Sequence, residues 1–267
     1  MLQAVDEFTR NMLARRQVIA AMTASELKQR YAGTAAGIFW SVAQPLALVL
    51  TYWFVFSVGF RVQAVGARPF IAFFICGFVP WTTFTEAVSG SIGSVVSAPH
   101  LVKKVVFPTE ILPVVKLAAA LVTHAILLVI ALIIVLLDGG LSGWAILQLP
   151  YYFACGFCLA LGIGWLLAAL NVFFRDIGQI VPVILNVWFW LTPIAWPENI
   201  LPQNMHAWLA VNPMYYVVQG YRDALLYGGV FWQRPVETLW FWAVTISILV
   251  AGAAVFRRLK PEFSDLL

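Results

Sequence analysis

The chain has 267 residues, 62% of them hydrophobic and only 10% charged, with a formal charge of +4. A soluble globular domain carries about 25% charged residues, so that class is excluded. The apolar runs are continuous rather than alternating, which excludes a membrane β-barrel and leaves an all-α integral membrane protein.

The start, Met1–Glu7, lacks the basic run and apolar core of a secretory signal. In Val5–Arg30, Val5, Phe8, Met12, Ile19 and Met22 recur at helical spacing opposite Arg10, Arg15, Arg16, Lys28 and Arg30. This pattern predicts an amphipathic interface helix within residues 1–33, lying in the membrane surface or docked on a soluble partner. Six spans then follow over 34–257: about Ala36–Phe60, Phe70–Val96, Glu110–Leu137, Leu147–Leu170, Gly178–Trp196 and Leu239–Phe256. Between spans five and six, 197–235 is rich in proline and interrupted by Arg222 and Asp223. Short re-entrant or interfacial helices fit it better than a crossing. The tail is 258–267.

Lys and Arg set the orientation. With the N-terminus in the cytoplasm, eleven basic residues fall inside (Arg10, Arg15, Arg16, Lys28, Arg30, Lys103, Lys104, Arg175, Arg257, Arg258 and Lys260). Four fall outside: Arg61, Arg68, Arg222 and Arg234. Both termini are then cytoplasmic, and 197–235 faces outward.

Two charges lie within spans. Glu86 precedes Ser97 by eleven residues, and Lys116 follows Pro108 by eight. At about 1.5 Å per residue they sit at similar depth, which predicts a Glu86–Lys116 ion pair, with separate snorkelling to the interface as the alternative. Cys155 and Cys158 have C-x-x-C spacing, but Ala154, Cys158, Gly162 and Gly156, Ala160, Gly164 form small-residue stripes. Close helix packing is the reading taken.

Chemistry of an enzyme is not visible. His100, His124 and His206 lack metal-ligand spacing, and no D-x-D carboxylate pair occurs. None of the five lysines follows a glycine, so the chain has no P-loop. No ATP, Mg or other cofactor is expected on this chain.

Several stretches resemble the membrane subunits of polysaccharide ABC exporters, which carry O-antigen, teichoic acid or capsule chains. Leu27–Trp40 with Gln44-Pro45-Leu46 is similar to the start of that family's first span. Lys103–Pro113 and Asn171–Ile177 resemble its connections between spans two and three and spans four and five, although Thr109 stands where Arg is commoner. Thr192–Pro197, Asn212–Tyr215 and Gly220–Asp223 resemble its outward gate, and Arg257–Phe263 its tail.

The resemblance implies a homodimer in the bacterial inner membrane, a dimer of cytoplasmic P-loop ATPases holding ATP and Mg, and a lipid-linked polysaccharide as substrate. It leaves room for a periplasmic export partner and none for nucleic acid. It further implies ATPase-coupling surfaces at Lys103, Lys104, Phe107 and Pro108 and at Asn171, Phe174, Arg175 and Asp176. The gate would hold Trp196, Pro197, Asn212, Pro213, Arg222 and Asp223. The last two either pair with the short gate helices or stand in solvent at the outer surface. Tyr52, Trp53, Phe54, Phe56, Trp188, Phe189, Trp190 and Tyr215 are candidates for a pore lining on which sugar rings slide, with lipid-facing aromatics as the alternative for each. A permease of the same fold for a drug or small lipid is the nearest rival. An ion-coupled secondary transporter would need inverted repeats and midplane ligands, and a membrane transferase would need the missing carboxylates.

Overall fold

The computed structural model describes residues 15–31, 39–62, 64–65, 68–103 and 107–267. Val5, Phe8, Met12, Arg10 and Lys104, named above, lie outside them.

Helix α1, Arg16–Tyr31, is the N-terminal helix. Its inner side carries Ile19, Met22, Glu26 and Leu27, at three- and four-residue spacing, while Lys28 and Gln29 are exposed. Helix α2, Phe39–Trp53, runs on as π-helix through Phe54–Gly59. A two-residue hairpin pairs Ala64–Val65 (β1) with Arg68–Pro69 (β2). Helices α3 (Phe70–Ile92), α4 (Pro99–Val102), α5 (Ile111–Leu137), α6 (Leu149–Phe173) and α7 (Ile177–Leu191) follow. Two short helices, α8 (His206–Val211) and α9 (Pro213–Arg222), precede α10 (Pro235–Leu259) and α11 (Phe263–Leu266).

Among the described residues, five stretches are long and apolar enough to cross a membrane: Val42–Gly59, Phe70–Ile92, Ile111–Leu137, Gly143–Phe173 and Pro235–Leu266. Helix α7 is apolar but has 15 residues, about 22 Å at the α-helical rise, against about 30 Å of hydrocarbon. The helix at the place of the expected fifth span therefore ends before the expected Trp196 and is not among these five. Thr192 is extended, with ψ 130°, because Pro193 follows it and the residue before proline is driven out of the helical region.

Helix α3 is the centre of the molecule, touching α2, α5, α6, α7 and α9. It is 72% buried over its apolar window, whereas the first span is 11% buried. Phe70, Phe74 and Phe78 of α3 form a stacked ladder at four-residue steps, with centroids 5.8 and 5.0 Å apart. From α2, Phe56 stacks on Phe70 and Tyr52 on Phe74, at 5.0 and 4.8 Å.

The small-residue stripes do serve close packing. A Cβ on Gly162 would lie 2.8 Å from the backbone nitrogen of Leu249 on α10. One on Gly164 would lie 2.9 Å from the Ser91 hydroxyl on α3. The two stripes thus seat α6 against different neighbours. Cys76, Cys155 and Cys158 are all free.

At the end of the molecule where α1 and the tail meet, a second apolar cluster gathers Ala98, Leu112, Trp165, Val172, Phe256 and Phe263. Ile19 and Met22 of α1 and Phe107 pack on it. Lys260 Nζ bonds Glu110 Oε2 at 2.6 Å, and Phe263 is fully buried, so the tail is part of the folded body.

Candidate functional site: a two-ended cavity and a helical cap

A cavity of about 820 Å³ opens between α1, α2, α3, α5 and α7. One end is aromatic: Tyr52, Phe78, Trp81 and Phe189. Trp81 and Phe189 meet at 5.8 Å and Tyr52 and Phe189 at 5.7 Å. The other end is charged, with Glu26 and Arg30 of α1 facing Glu86 of α3 and Lys116 of α5. Hydroxyls and amides lie between, among them Thr82, Thr85, Ser89 and Asn186. The Thr85 hydroxyl is buried without a hydrogen-bond partner among the described residues.

The expected Glu86–Lys116 pair is corrected here. Lys116 Nζ bonds Glu26 Oε1 at 2.5 Å, and Arg30 bonds Glu86. Both charges do find partners, as charges near the membrane must. The partners come from α1, whose residues 26 and 30 are one turn apart and match the two signs. Lys116 still lies against α3, its stem 3.4 Å from where a Gly90 side chain would begin.

Of the pore candidates, Tyr52 and Phe189 line this cavity. Phe56 is packed on Phe70 and Phe60. Trp53 and Trp190 are 41% and 49% exposed, on the outer faces of α2 and α7. Trp188 packs edge-on against Trp81 and Phe84. Its indole N–H donates to Asn212 Oδ1 at 2.9 Å. Tyr215 donates its hydroxyl to Glu198, and burial, then the neighbouring carboxylate, hold that phenol above its ordinary pKa. Phe78, Trp81, Thr85 and the α1 pair are the residues that sequence reasoning missed. The four-residue periodicity of Phe70, Phe74 and Phe78 was the readable signal for the aromatic wall.

The residues expected at the gate form a cap over the other end of the helices. Asn212 is its hub. Its Oδ1 accepts from the Met214 backbone N–H at 3.0 Å, capping α9, and its Nδ2 donates to Thr192 Oγ1 at 2.9 Å. Pro213 occupies the first turn of α9, where no N–H is needed. Trp196 donates to the Trp190 carbonyl at 3.0 Å, and Pro197 precedes a 3₁₀ turn, Glu198–Ile200.

Arg222 and Asp223 are buried, so the solvated alternative fails. The Arg222 guanidinium lies 3.6 Å over the Phe73 ring. It donates to the carbonyls of Phe73 (3.3 Å) and Ile194 (3.0 Å), tying α9 to α3 and to the end of α7. Burial draws its pKa down to about 10, which leaves it charged at neutral pH. Asp223 pairs with Arg234 at 3.2 Å. Burial pushes its carboxyl upward and Arg234 opposes the shift.

The expected coupling residues divide by exposure. Lys103, Phe174, Arg175 and Asp176 are exposed, Phe107 is half-buried and Pro108 is buried. Asn171 is buried too, and its Nδ2 donates to the Ile92 carbonyl at 3.1 Å. It fastens the end of α6 to the end of α3 and presents no free surface.

A family model described as ABC-2 type transporter matches residues 17–226, which takes in the cavity, the cap up to Asp223 and both connections. The chain belongs to the ABC-2 type transporter family. As an ABC-2 chain it is similar to the O-antigen export system permease protein RfbA of Myxococcus xanthus, 28% identical over 96% of this chain and 97% of that protein. The RfbA of Klebsiella pneumoniae is 25% identical, covering 94% and 95%. The polysialic acid transport protein KpsM of Escherichia coli is 21% identical, covering 90% and 92%. The ABC-2 match makes this a transport subunit, and the missing P-loop leaves ATP hydrolysis to another chain.

Proposed function

We propose that this ABC-2 chain is the membrane subunit of an ATP-driven exporter that moves a lipid-linked polysaccharide out of the cytoplasm. It works as a homodimer of six-span subunits in the bacterial inner membrane, with both termini inside, and takes its energy from a cytoplasmic P-loop ATPase dimer. The observation that carries this reading is the cavity, in a chain whose full-length relatives are named for O-antigen and polysialic acid export. Its hydroxyls, amides and charges suit a hydroxylated, polar ligand, and its aromatic faces suit sugar rings. Apolar, exposed outer faces of α2 and α7 flank it, so two copies facing each other would join two cavities into one pore. Helix α1 lies at the membrane surface, the exposed connections at 103 and 174–176 seat in the ATPase, and α8 and α9 form the outward gate.

A permease of the same fold for a small amphiphile is the second reading. What favours it is size, since about 820 Å³ falls in the range of pockets for drug-sized ligands.

Deleting the chain from its native cell and restoring it separates the two. Loss of surface polysaccharide, with glycan accumulating inside and an ATPase co-purifying at equal stoichiometry, supports the first reading. Unchanged surface polysaccharide with the ATPase still bound overturns it in favour of the second. Without an ATPase, both fall.

A further inference from the structure

Helix α1 meets the charged end of the cavity with two side chains, Glu26 and Arg30. They bond to two different spans, Glu26 to Lys116 on α5 at 2.5 Å and Arg30 to Glu86 on α3. The signs are crossed: acid then base along α1, base and acid on the spans. A shift of α1 by one turn would bring Glu26 towards Glu86, or Arg30 towards Lys116, and so place like charges together. The arrangement therefore holds α1 in a single register. Among the described residues, α1 also packs along α5 and rests on the cluster beneath it through Ile19 and Met22, both only partly buried. On its other side Gln17, Val18, Ala21, Ser25 and Lys28 are exposed.

We infer that α1 is a door on the charged end of the cavity and that the two crossed ion pairs are its latch. Two features make the latch one that opens. All four charges are partly exposed, from 17% at Glu86 to 43% at Arg30, so water can take over when the pairs part. Pairs in such settings are weak individually; fully buried ones would hold too firmly, because breaking them strands a charge. When α1 swings away, the mouth between α3 and α5 is left lined by Glu86 and Lys116. A polar ligand then enters past fixed charges of both signs.

The test is access. Ser89 lines the cavity one turn beyond Glu86 on α3. The Ser89→Cys chain, in inside-out membrane vesicles, is labelled with a membrane-impermeant maleimide. Rates are corrected by the chain without the new cysteine and normalised to Ser264→Cys on the exposed tail. Glu26→Lys and Glu86→Arg each raise the labelling rate by about tenfold, and the swaps E26K/K116E and R30E/E86R return it to within about twofold of the parent, as expected of directly coupled pairs. The milder Glu26→Gln raises it by a smaller factor and covers the case in which a reversal prevents folding, which is read from the detergent-extracted protein's elution profile. Equal rates in the parent and in the folded single variants overturn the latch, and so does a swap no slower than its singles. The door's direction rests on the orientation proposed above. If the singles label fast only from the opposite side, that orientation fails while the latch stands.

Discussion

Putting a side chain at Gly162 tests whether backbone contact between α6 and α10 holds this membrane domain together. A Cβ there would lie 2.8 Å from Leu249 N, 2.9 Å from Leu249 Cα and 3.0 Å from Ile248 C. All three are backbone atoms of a packed helix and cannot rotate aside. An ordinary contact starts at 3.4 Å, so alanine forces the helices apart by about 0.6 Å. A gap of that size forfeits about a quarter or more of the dispersion well for each separated atom pair, and such overpacking costs about 1–3 kcal/mol. Alanine recovers up to about 1 kcal/mol of helix propensity, so Gly162→Ala should lose about 1 kcal/mol net. Gly162→Leu adds three further carbons beyond a Cβ already in close contact, and should lose about 3 kcal/mol. Gly93→Ala is the control, because nothing lies within 4 Å of its Cβ. Its change should stay within about 0.5 kcal/mol. Unfolding in mixed micelles, followed by tryptophan fluorescence, gives the three values. A Gly162→Leu chain as stable as the control would refute the close crossing.

Asn212→Ala removes the α9 cap and the bonds to Trp188 and Thr192, and should cost about 2–3 kcal/mol in the same assay. Asn212→Asp keeps both acceptor bonds and should lose less than half of that. Phe263→Ala should cost about 3 kcal/mol and expose the tail to carboxypeptidase, at a rate measured by mass spectrometry. Phe174→Glu should abolish co-purification of the ATPase while leaving the unfolding midpoint unchanged. Asn171→Ala should instead lower that midpoint, because its side chain joins two helix ends. Equal behaviour of these two variants would remove the distinction between contact surface and fastening.

Five of the six expected spans could be read from the chain because each is a long apolar run, and bilayer thickness sets the run length a crossing needs. Small residues at four-residue spacing announced close packing for a similar reason: the contact they permit depends on one helix face. The expected fifth span ran past the observed helix because Ile194, Ala195 and Trp196 are apolar, and hydropathy takes no account of the break at Thr192-Pro193. Glu86 and Lys116 were correctly read as charges needing partners. The partners themselves lie 56 and 90 residues away in sequence, on a helix expected at the membrane surface or on a soluble partner. Periodicity assigns a residue to a face but says nothing about which element covers it. Asn212-Pro213 was readable as a motif, whereas its bonds to Trp188 and Thr192 depend on where α7 stops.

The early stop of α7 also bears on any lipid that meets its flank. A helix of 15 residues with Ile180, Val183, Ile184 and Val187 exposed on its flank offers acyl chains a wall about 8 Å lower than the usual hydrocarbon thickness. Lipid next to such a wall thins or tilts to meet it, at a cost of a fraction of a kcal/mol per Å. Wherever the second copy proposed above leaves this flank uncovered, the bilayer beside the cavity would be narrowed in the same way.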